Sequence, residues 1–276
     1  MFTIRLCIFV ASIAFATALS ANISPSTKPQ LHQFAGPIIR NVEVNPIFFG
    51  SLASLPRRNC SSFMRPCGSI GRAYSLPAGT CSDPVTSLDD RKDIKPLLYK
   101  LVKDGVITPD FNFNSVYAFH VAPGINVTSD FGDKSCKSMS GYHSYVNITD
   151  LNVPNVPFLI YTVIPDPACM VEPPFSYSDL LQIAASHELA EAVTDPLLSL
   201  AIEIMLVKGA KGVAQATQVA AWVDVDTLKL KVNGEIADFC EGQADLAPVP
   251  KTVGGDGKEY SITKFWSQKK NACVVA

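Results

Sequence analysis

Histidine is scarce in this sequence and blocks of like charge are missing, and each shortage limits the functions open to the chain. Four histidines among 276 residues leave few nitrogen ligands for a metal. The formal net charge at pH 7 is −2, so neither nucleic acid nor an anionic membrane is an expected partner. The hydrophobic content of 47% is ample for a packed core, which argues against global disorder.

Long apolar runs are missing too. The run at residues 6–19 is shorter than the ~20 apolar residues that a membrane-spanning helix needs. Arg5 precedes this run and small residues end it before Ala21, a pattern typical of a secretory signal peptide. We therefore predict a signal peptide at residues 1–20, a secreted or extracellular protein, and no transmembrane segment after cleavage.

The remaining chain shows no internal repeat and no clear domain boundary. Residues 21–35 are polar and contain two prolines, which predicts a flexible N-terminal segment. Residues 36–276 are then expected to form a single domain. Asn59, Asn126 and Asn147 each begin a glycosylation sequon, in agreement with a secreted glycoprotein.

The cysteines predict a disulfide-stabilised domain. In an oxidising compartment most of them should pair, although seven remain after signal cleavage and one is left over. A zinc site made of cysteines is the rival interpretation, but the sequence contains no C-x-x-C pair to support it. The seven are Cys60, Cys67, Cys81, Cys136, Cys169, Cys240 and Cys273.

Apolar runs and helical patterns alternate along the chain, which predicts an α/β fold with a mixed β-sheet and packed helices. Strands are expected around 42–44, at 116–121, 142–148, 158–164 and 262–266, and as a hairpin at 222–232. Helices are expected at 84–105, with Ser87 as its capping residue, from Ser176 to Asp195, and at 197–207.

The helix ending at Asp195 carries the most informative motif, His187-Glu188-x-x-Glu191. It departs from the zinc-protease signature His-Glu-x-x-His at its last position. At ~100° per residue, His187 and Glu191 lie about 40° apart on one helix face. The opposite face gathers Leu181, Ala185, Leu189 and Val193, and is expected to face the core, whereas Asp195 falls beyond the polar face.

Three interpretations of this motif stay open. His187 and Glu191 could bind zinc, with Glu188 activating a bound water. Alternatively, the carboxylates could bind calcium without catalysis, with Asp195, Glu235 and Asp238 as further ligands. In the third interpretation the residues form a structural polar cluster.

A third ligand has to come from elsewhere in the chain. His143 follows Gly141 in a turn-like context that suits a site residue, and His120 at a strand end is the second candidate. His32 falls in the predicted N-terminal segment. Glu235 and Asp238 lie just before Cys240, which can anchor their turn by a disulfide to which Cys273 is the candidate partner.

Short blocks along the chain resemble the EXORDIUM-like, phosphate-induced secreted proteins, in particular their fungal and microbial branch. The blocks span nearly the whole predicted domain. They are residues 36–44 and 48–50, 141–144, 186–196, Ala221-Trp222 with Asp224, 234–240, 265–267 and Cys273.

The resemblance implies a secreted or cell-wall-associated protein without a demonstrated catalytic activity. It places the candidate metal or polar residues at His187, Glu188, Glu191, Asp195, Glu235 and Asp238. Two departures stand out. The apolar segment at 197–220 is an insertion that could cover the site, and Ser140 stands where the branch tends to have a cysteine.

Together these features predict a secreted, zincin-like α/β domain related to zinc metallohydrolases. The expected chemistry is hydrolysis of a peptide or ester, with Zn²⁺ as the expected metal and Ca²⁺ as the alternative. The rival function is a non-catalytic extracellular or wall-associated binding or signalling protein. The expected partner is an extracellular peptide or polysaccharide.

Overall fold

The computed structural model describes residues 30–50, 68–70, 72–76, 85–110, 112–224, 234–241 and 249–275. From Leu31 onward the chain belongs to one compact unit. The predicted signal peptide, the sequon at Asn59 and the cysteines at 60, 67 and 81 lie outside the described residues. The other two sequon asparagines, Asn126 and Asn147, are both exposed.

Helices and strands both contribute to the fold, which confirms the predicted α/β class. The strands are β1 (Leu31–Gln33), β2 (Val42–Phe49), β3 (Gly68–Ile70), β4 (Tyr74–Leu76), β5 (Ser87–Asp89), β6 (Ser115–Val121), β7 (Asn126–Thr128), β8 (Tyr142–Asn147), β9 (Phe158–Ile164), β10 (Trp222–Asp224), β11 (Lys251–Val253), β12 (Glu259–Ser261), β13 (Phe265–Ser267) and β14 (Ala272–Val274). The helices are α1 (Lys95–Lys103), α2 (Tyr177–Thr194), α3 (Leu198–Lys208) and α4 (Val213–Val219), with a π-helical turn at Asp90–Ile94 and 3₁₀ turns at Thr149–Leu151, Pro167–Met170, Gly209–Gly212 and Asp238–Cys240.

The largest sheet among the described residues is a mixed sheet of six strands. Its strand order is β3-β2-β6-β9-β8, and β4 also pairs with β2. Strands β2, β6 and β9 run parallel to one another, whereas β8 runs antiparallel to β9 with His143 opposite Thr162. The apolar run predicted at 158–164 is β9, and it is buried on both faces because helices cover the sheet on each side.

The predicted helix at 84–105 is shorter than expected. Ser87 lies in β5, because this segment pairs in parallel with β7 instead of starting the helix. Asp89 provides the cap by accepting a hydrogen bond from the backbone N–H of Lys92. After the π-helical turn, α1 begins at Lys95 with Pro96 in its first turn, and the chain turns at Gly105 with φ +70°.

The motif helix α2 has the predicted limits. The hydroxyl of Ser176 accepts from the backbone N–H of Asp179, and the Asp179 carboxylate accepts in return from the backbone of Ser176. The helix ends at Thr194, and Asp195 follows it immediately before a proline. Helix α2 packs on β9 and β8, at the antiparallel edge of the sheet.

The chain on either side of α3 differs in part from the prediction. Residues 31–33, which belong to the predicted N-terminal segment, form β1 and pair with β10. The rest of the predicted 222–232 hairpin lies outside the described residues. The apolar run at 197–207 forms α3, as expected, and packs against β8 and α4.

The strand predicted at 262–266 is interrupted, since β12 ends at Ser261 and β13 begins at Phe265. The intervening backbone bonds to other elements instead. Ile262 N–H donates to the carbonyl of Pro250, and Thr263 N–H donates to the hydroxyl of Ser186 on α2. The bond from Thr263 ties the C-terminal hairpins to the motif helix.

Two disulfides are present among the described residues. Cys136 pairs with Cys169, and Cys240 pairs with Cys273, which confirms the predicted partner of Cys240. They fit an extracellular protein. Within the described residues, no helix is both long and apolar enough to cross a membrane.

Candidate metal site

The polar face of α2 is its deeply buried face. His187, Glu188 and Glu191 are 7%, 4% and 3% exposed. The apolar side chains on the opposite face, from Leu181 to Val193, are half-buried, and Leu189 and Val193 pack against the core as predicted. Both faces are covered, because strand β8 and residues 234–241 pack over the polar face.

Strand β8 brings His143 to this face. The His143 Nδ1 lies 3.8 Å from Glu188 Oε2 and 3.9 Å from Glu191 Oε2. Its Nε2 lies 3.1 Å from the backbone carbonyl oxygen of Asp195. The predicted third histidine is therefore beside both glutamates of the motif.

The residues on either side of His143 point to the opposite face of the sheet, as strand alternation requires. The Tyr142 hydroxyl donates to Asp90 at 2.6 Å, and the Ser144 hydroxyl donates to Asp130 at 3.1 Å. These bonds fix the register of β8 and thereby the position of the His143 ring.

The segment 234–241 closes the site from the other side. Glu235 Oε1 lies 3.6 Å from His143 Nε2, and Asp238 Oδ1 lies 3.4 Å from His187 Nε2. The backbone N–H groups of Ala237 and Asp238 donate to Glu191 Oε1 at 3.3 and 3.2 Å. The segment is held by the Cys240–Cys273 disulfide and by a hydrogen bond from Trp266 N–H to the Ile236 carbonyl.

Glu241 joins the site although the sequence reasoning missed it. Its Oε1 lies 3.6 Å from His187 Nδ1, and its side chain is 54% exposed. Glu235, Asp238 and Glu241 are spaced three residues apart, and this spacing could have indicated Glu241. In a 3₁₀ turn, such as the one at Asp238–Cys240, residues three apart lie on the same side. Glu241 marks the side of the site that opens to solvent.

Asp195 lies at the end of α2 and turns inward. Its side chain is fully buried, and Oδ1 accepts from the backbone N–H of Ala221 at 2.9 Å. Asp195 was predicted beyond the polar face at the helix end, and it does follow α2 directly; the chain bends there, so that the Asp195 backbone carbonyl meets His143.

These residues form one His/carboxylate cluster around the polar face of α2. Three overlapping groups within it bring possible ligand atoms within 4.8 Å of one another, so the buried groups could hold a metal ion. The groups are His143 with Glu188 and Glu191, His187 with Asp238 and Glu241, and Glu191 with Glu235 and Asp238. Asp195 is counted with them because its backbone carbonyl contacts His143, although its side chain is in none of the three groups.

Two buried carboxylate oxygens in the cluster accept no hydrogen bond from the described residues. They are Asp195 Oδ2 and Glu235 Oε1. Buried polar atoms are nearly always satisfied, so each such oxygen calls for a partner. Glu235 Oε1 points at His143, into the centre of the cluster.

Burial raises the pKa values of three carboxylates in the cluster, and crowding of like charges adds to it at two of them. Burial, reinforced by the charge of Asp238 and opposed by His187, raises the pKa of Glu191 to about 7. Burial raises the pKa of Asp195 to about 7, against the Ala221 N–H bond. Burial and the neighbouring carboxylates raise the pKa of Glu235 well above its usual value.

The same negative charge raises the pKa values of both histidines and so favours their charged form. Burial alone would lower the pKa of His143, but Glu188, Glu191 and Asp195 outweigh it and raise that pKa. Burial is likewise outweighed at His187, where Glu191 and Asp238 raise the pKa well above the ordinary value. The cluster therefore attracts positive charge, either as protons or as a cation.

The other two histidines lie elsewhere. His120 stacks on Phe48, with ring centroids 5.4 Å apart, and burial lowers its pKa to about 4. His32 is exposed in β1, opposite Val223. Neither is in the three groups of possible ligands, so His143 is the histidine that the fold brings to His187.

Comparisons with protein families, with curated proteins and with solved structures found no match. The function is therefore argued from the geometry of the His/carboxylate cluster.

Proposed function

We propose that this protein binds a divalent cation, Zn²⁺ in the first place, in the His/carboxylate cluster and uses it to hydrolyse a peptide or ester. One observation carries the proposal. Glu235 Oε1 is buried without a hydrogen-bond donor and points at His143, among carboxylates that crowd both histidines. A cation there would satisfy this oxygen and offset the surrounding negative charge.

The mixture of ligands favours zinc. Zinc accepts imidazole nitrogen and carboxylate oxygen, and the cluster supplies both types from His143, His187 and Glu191. Calcium takes six to eight oxygen ligands and is bound mainly by carboxylates and carbonyls. The histidines at the centre of the cluster therefore argue for zinc over calcium.

Glu188 is the group that we assign as the general base. A bound cation would supply water with a pKa lowered to about 7. The Glu188 carboxylate lies on the His143 side, where it can accept the proton of such a water. Substrate would enter past Glu241, the exposed member of the cluster.

A second candidate is a non-catalytic metal-binding or signalling protein outside the cell. The depth of the cluster favours this alternative, because Glu188 and Glu191 leave little surface for a substrate. The Cys136–Cys169 and Cys240–Cys273 disulfides, the apolar N-terminal run and the exposed sequon asparagines support secretion in both cases. The resemblance to EXORDIUM-like proteins supports a wall-associated location with an extracellular peptide or polysaccharide as partner.

The experiment that tests metal binding is elemental analysis of the protein purified from a secreting host. We expect bound zinc after dialysis, a lower melting temperature after chelation, and recovery when Zn²⁺ is restored. Glu191→Gln should reduce the zinc content, whereas Glu172→Gln, at an exposed position, should not. If the purified protein contains no zinc, and neither chelator nor added Zn²⁺ changes its melting temperature, the cluster is structural.

A further inference from the structure

We propose that the His/carboxylate cluster is built for two cations, with Glu191 as the carboxylate between them. This inference rests on the proposed metal binding and specifies its stoichiometry. The geometry that supports it is the placement of the two histidines on opposite sides of one carboxylate.

The two oxygens of Glu191 face different histidines. Oε1 lies 3.1 Å from His187 Nε2, whereas Oε2 lies 3.9 Å from His143 Nδ1. The N–H groups of Ala237 and Asp238 also reach Oε1, and they hold the carboxylate in this orientation. A carboxylate that presents one oxygen to each of two nitrogen ligands has the arrangement of a bridging ligand.

Each side of Glu191 has its own set of possible ligands. On the Oε2 side, His143 and Glu191 are the possible ligands, and Glu188 lies within reach of both as the base. On the Oε1 side, His187 Nε2 lies 3.4 Å from Asp238 Oδ1, and Glu235 is within mutual reach of Glu191 and Asp238. Glu241 lies on the other side of the His187 ring, 3.6 Å from Nδ1. The first set comes from β8 and α2, and the second from α2 and the segment 234–241.

The charge of the cluster also favours two cations. Six carboxylates surround the two histidines: Glu188, Glu191, Asp195, Glu235, Asp238 and Glu241. One divalent cation on the His143 side would leave the buried Asp238 carboxylate beside His187 without a cation, and a second cation at His187 would reach it. This matters because unpaired buried charge is costly.

The two cation positions would have different roles in hydrolysis. In two-metal sites the cations lie about 3.5–4 Å apart, and one would supply the attacking water while the other would polarise the carbonyl oxygen of the substrate. The position at His143 has Glu188 beside it as the base. The position at His187 lies next to Glu241 and solvent, so it would contact the substrate.

Metal stoichiometry tests the inference. Apo-protein titrated with Zn²⁺ in a calorimeter, with elemental analysis of the dialysed complex, should take up two equivalents per chain. His143→Ala and His187→Ala should each lose one equivalent and keep the other. His32→Ala, an exposed histidine outside the cluster, should still bind two.

A measurement on the unaltered protein avoids dependence on variants that fail to fold. Loaded with Mn²⁺, it should give the spin-coupled paramagnetic resonance signal of a metal pair. Saturation at one equivalent, with an isolated-ion signal, would overturn the two-cation inference and leave single-metal binding intact. Absence of any binding would overturn both the inference and the proposed function.

Discussion

Gly141 lies against Glu188, so closely that a Cβ on Gly141 would be 2.8 Å from the Glu188 Cγ and 2.9 Å from its Oε1. Real Cβ atoms are essentially never found below 3.0 Å from such neighbours. The glycine before Tyr142 and His143 therefore leaves room for the side chain that we assign as the general base.

Gly141→Ala should displace Glu188 and disturb the His143 side of the cluster. Because neighbours that orient metal ligands are typically worth 10- to 100-fold in metal affinity, we expect a loss of roughly that size in zinc affinity. Calorimetric titration with Zn²⁺ measures it.

The control for Gly141→Ala is the same substitution combined with Glu188→Ala. Once the Glu188 side chain is removed, the methyl group at position 141 has room, so the second substitution should add little. An equal loss of affinity in both backgrounds would show that the glycine acts through the backbone and not through Glu188.

Glu188→Gln tests the base directly. The glutamine keeps a similar shape and an oxygen but cannot accept the proton of a bound water. We expect zinc binding to persist while hydrolysis of casein or of a nitrophenyl ester falls by about 10²- to 10⁴-fold. Retained hydrolysis in a folded, zinc-loaded variant would remove Glu188 from the mechanism, and Glu172→Gln supplies the matched control at the surface.

Local sequence signals predicted the elements that carry the site. Ser176 with Asp179 and the proline after Asp195 define α2 without reference to the rest of the fold. The continuous apolar run of β9 similarly requires burial on both faces. By contrast, Ser87 looked like a helix cap, because the sequence does not show that β7 would pair with the residues around it.

The burial of the polar face of α2 was not predicted. Helical periodicity separates the apolar face from the His187 face and indicates only that the apolar face contacts the core. Here β8 and the segment 234–241 supply the partners that let a polar face be buried, and these partners are distant in sequence. The sequence indicated Glu235 as a candidate ligand, but its contact with His143 depends on the tertiary fold.

The Cys240–Cys273 disulfide should matter to the site beyond its effect on stability. It anchors the segment that carries Glu235, Asp238 and Glu241. Replacing both cysteines with serine should destabilise the fold by about 2–5 kcal/mol and also weaken zinc binding, because the second set of ligands is released.

The other disulfide is a matched control. Cys136–Cys169 has the same sequence separation, 33 residues, but holds no residue of the cluster. Its double serine variant should lose stability in the same range and keep its zinc affinity, as measured by denaturant unfolding and calorimetry. Equal effects of both double variants on zinc binding would mean that the segment 234–241 is positioned without its disulfide.

The metal-free protein should lose stability as the pH rises from about 6.5 through 7. Glu191 and Asp195 have a pKa of about 7 in the folded state, well above their ordinary values. The pKa values of His143 and His187 are also raised. For all four, the folded state holds more protons than the unfolded state in this range, so the free energy of unfolding falls with pH.

His120 changes the free energy of unfolding in the opposite direction, but mainly below this pH range. Burial lowers the pKa of His120 to about 4, so its contribution makes stability rise with pH, mainly between that value and its ordinary value of 6.5. Above 6.5 that contribution fades as the unfolded-state histidine loses its remaining proton. Thermal unfolding of chelated protein between pH 6.5 and 7.5 should show a falling melting temperature, with a smaller slope in Glu191→Gln and an unchanged slope in Glu172→Gln.

Saturating Zn²⁺ should flatten or reverse the slope, because the cation replaces the protons that the cluster otherwise needs. An identical slope with and without Zn²⁺ would contradict cation binding there.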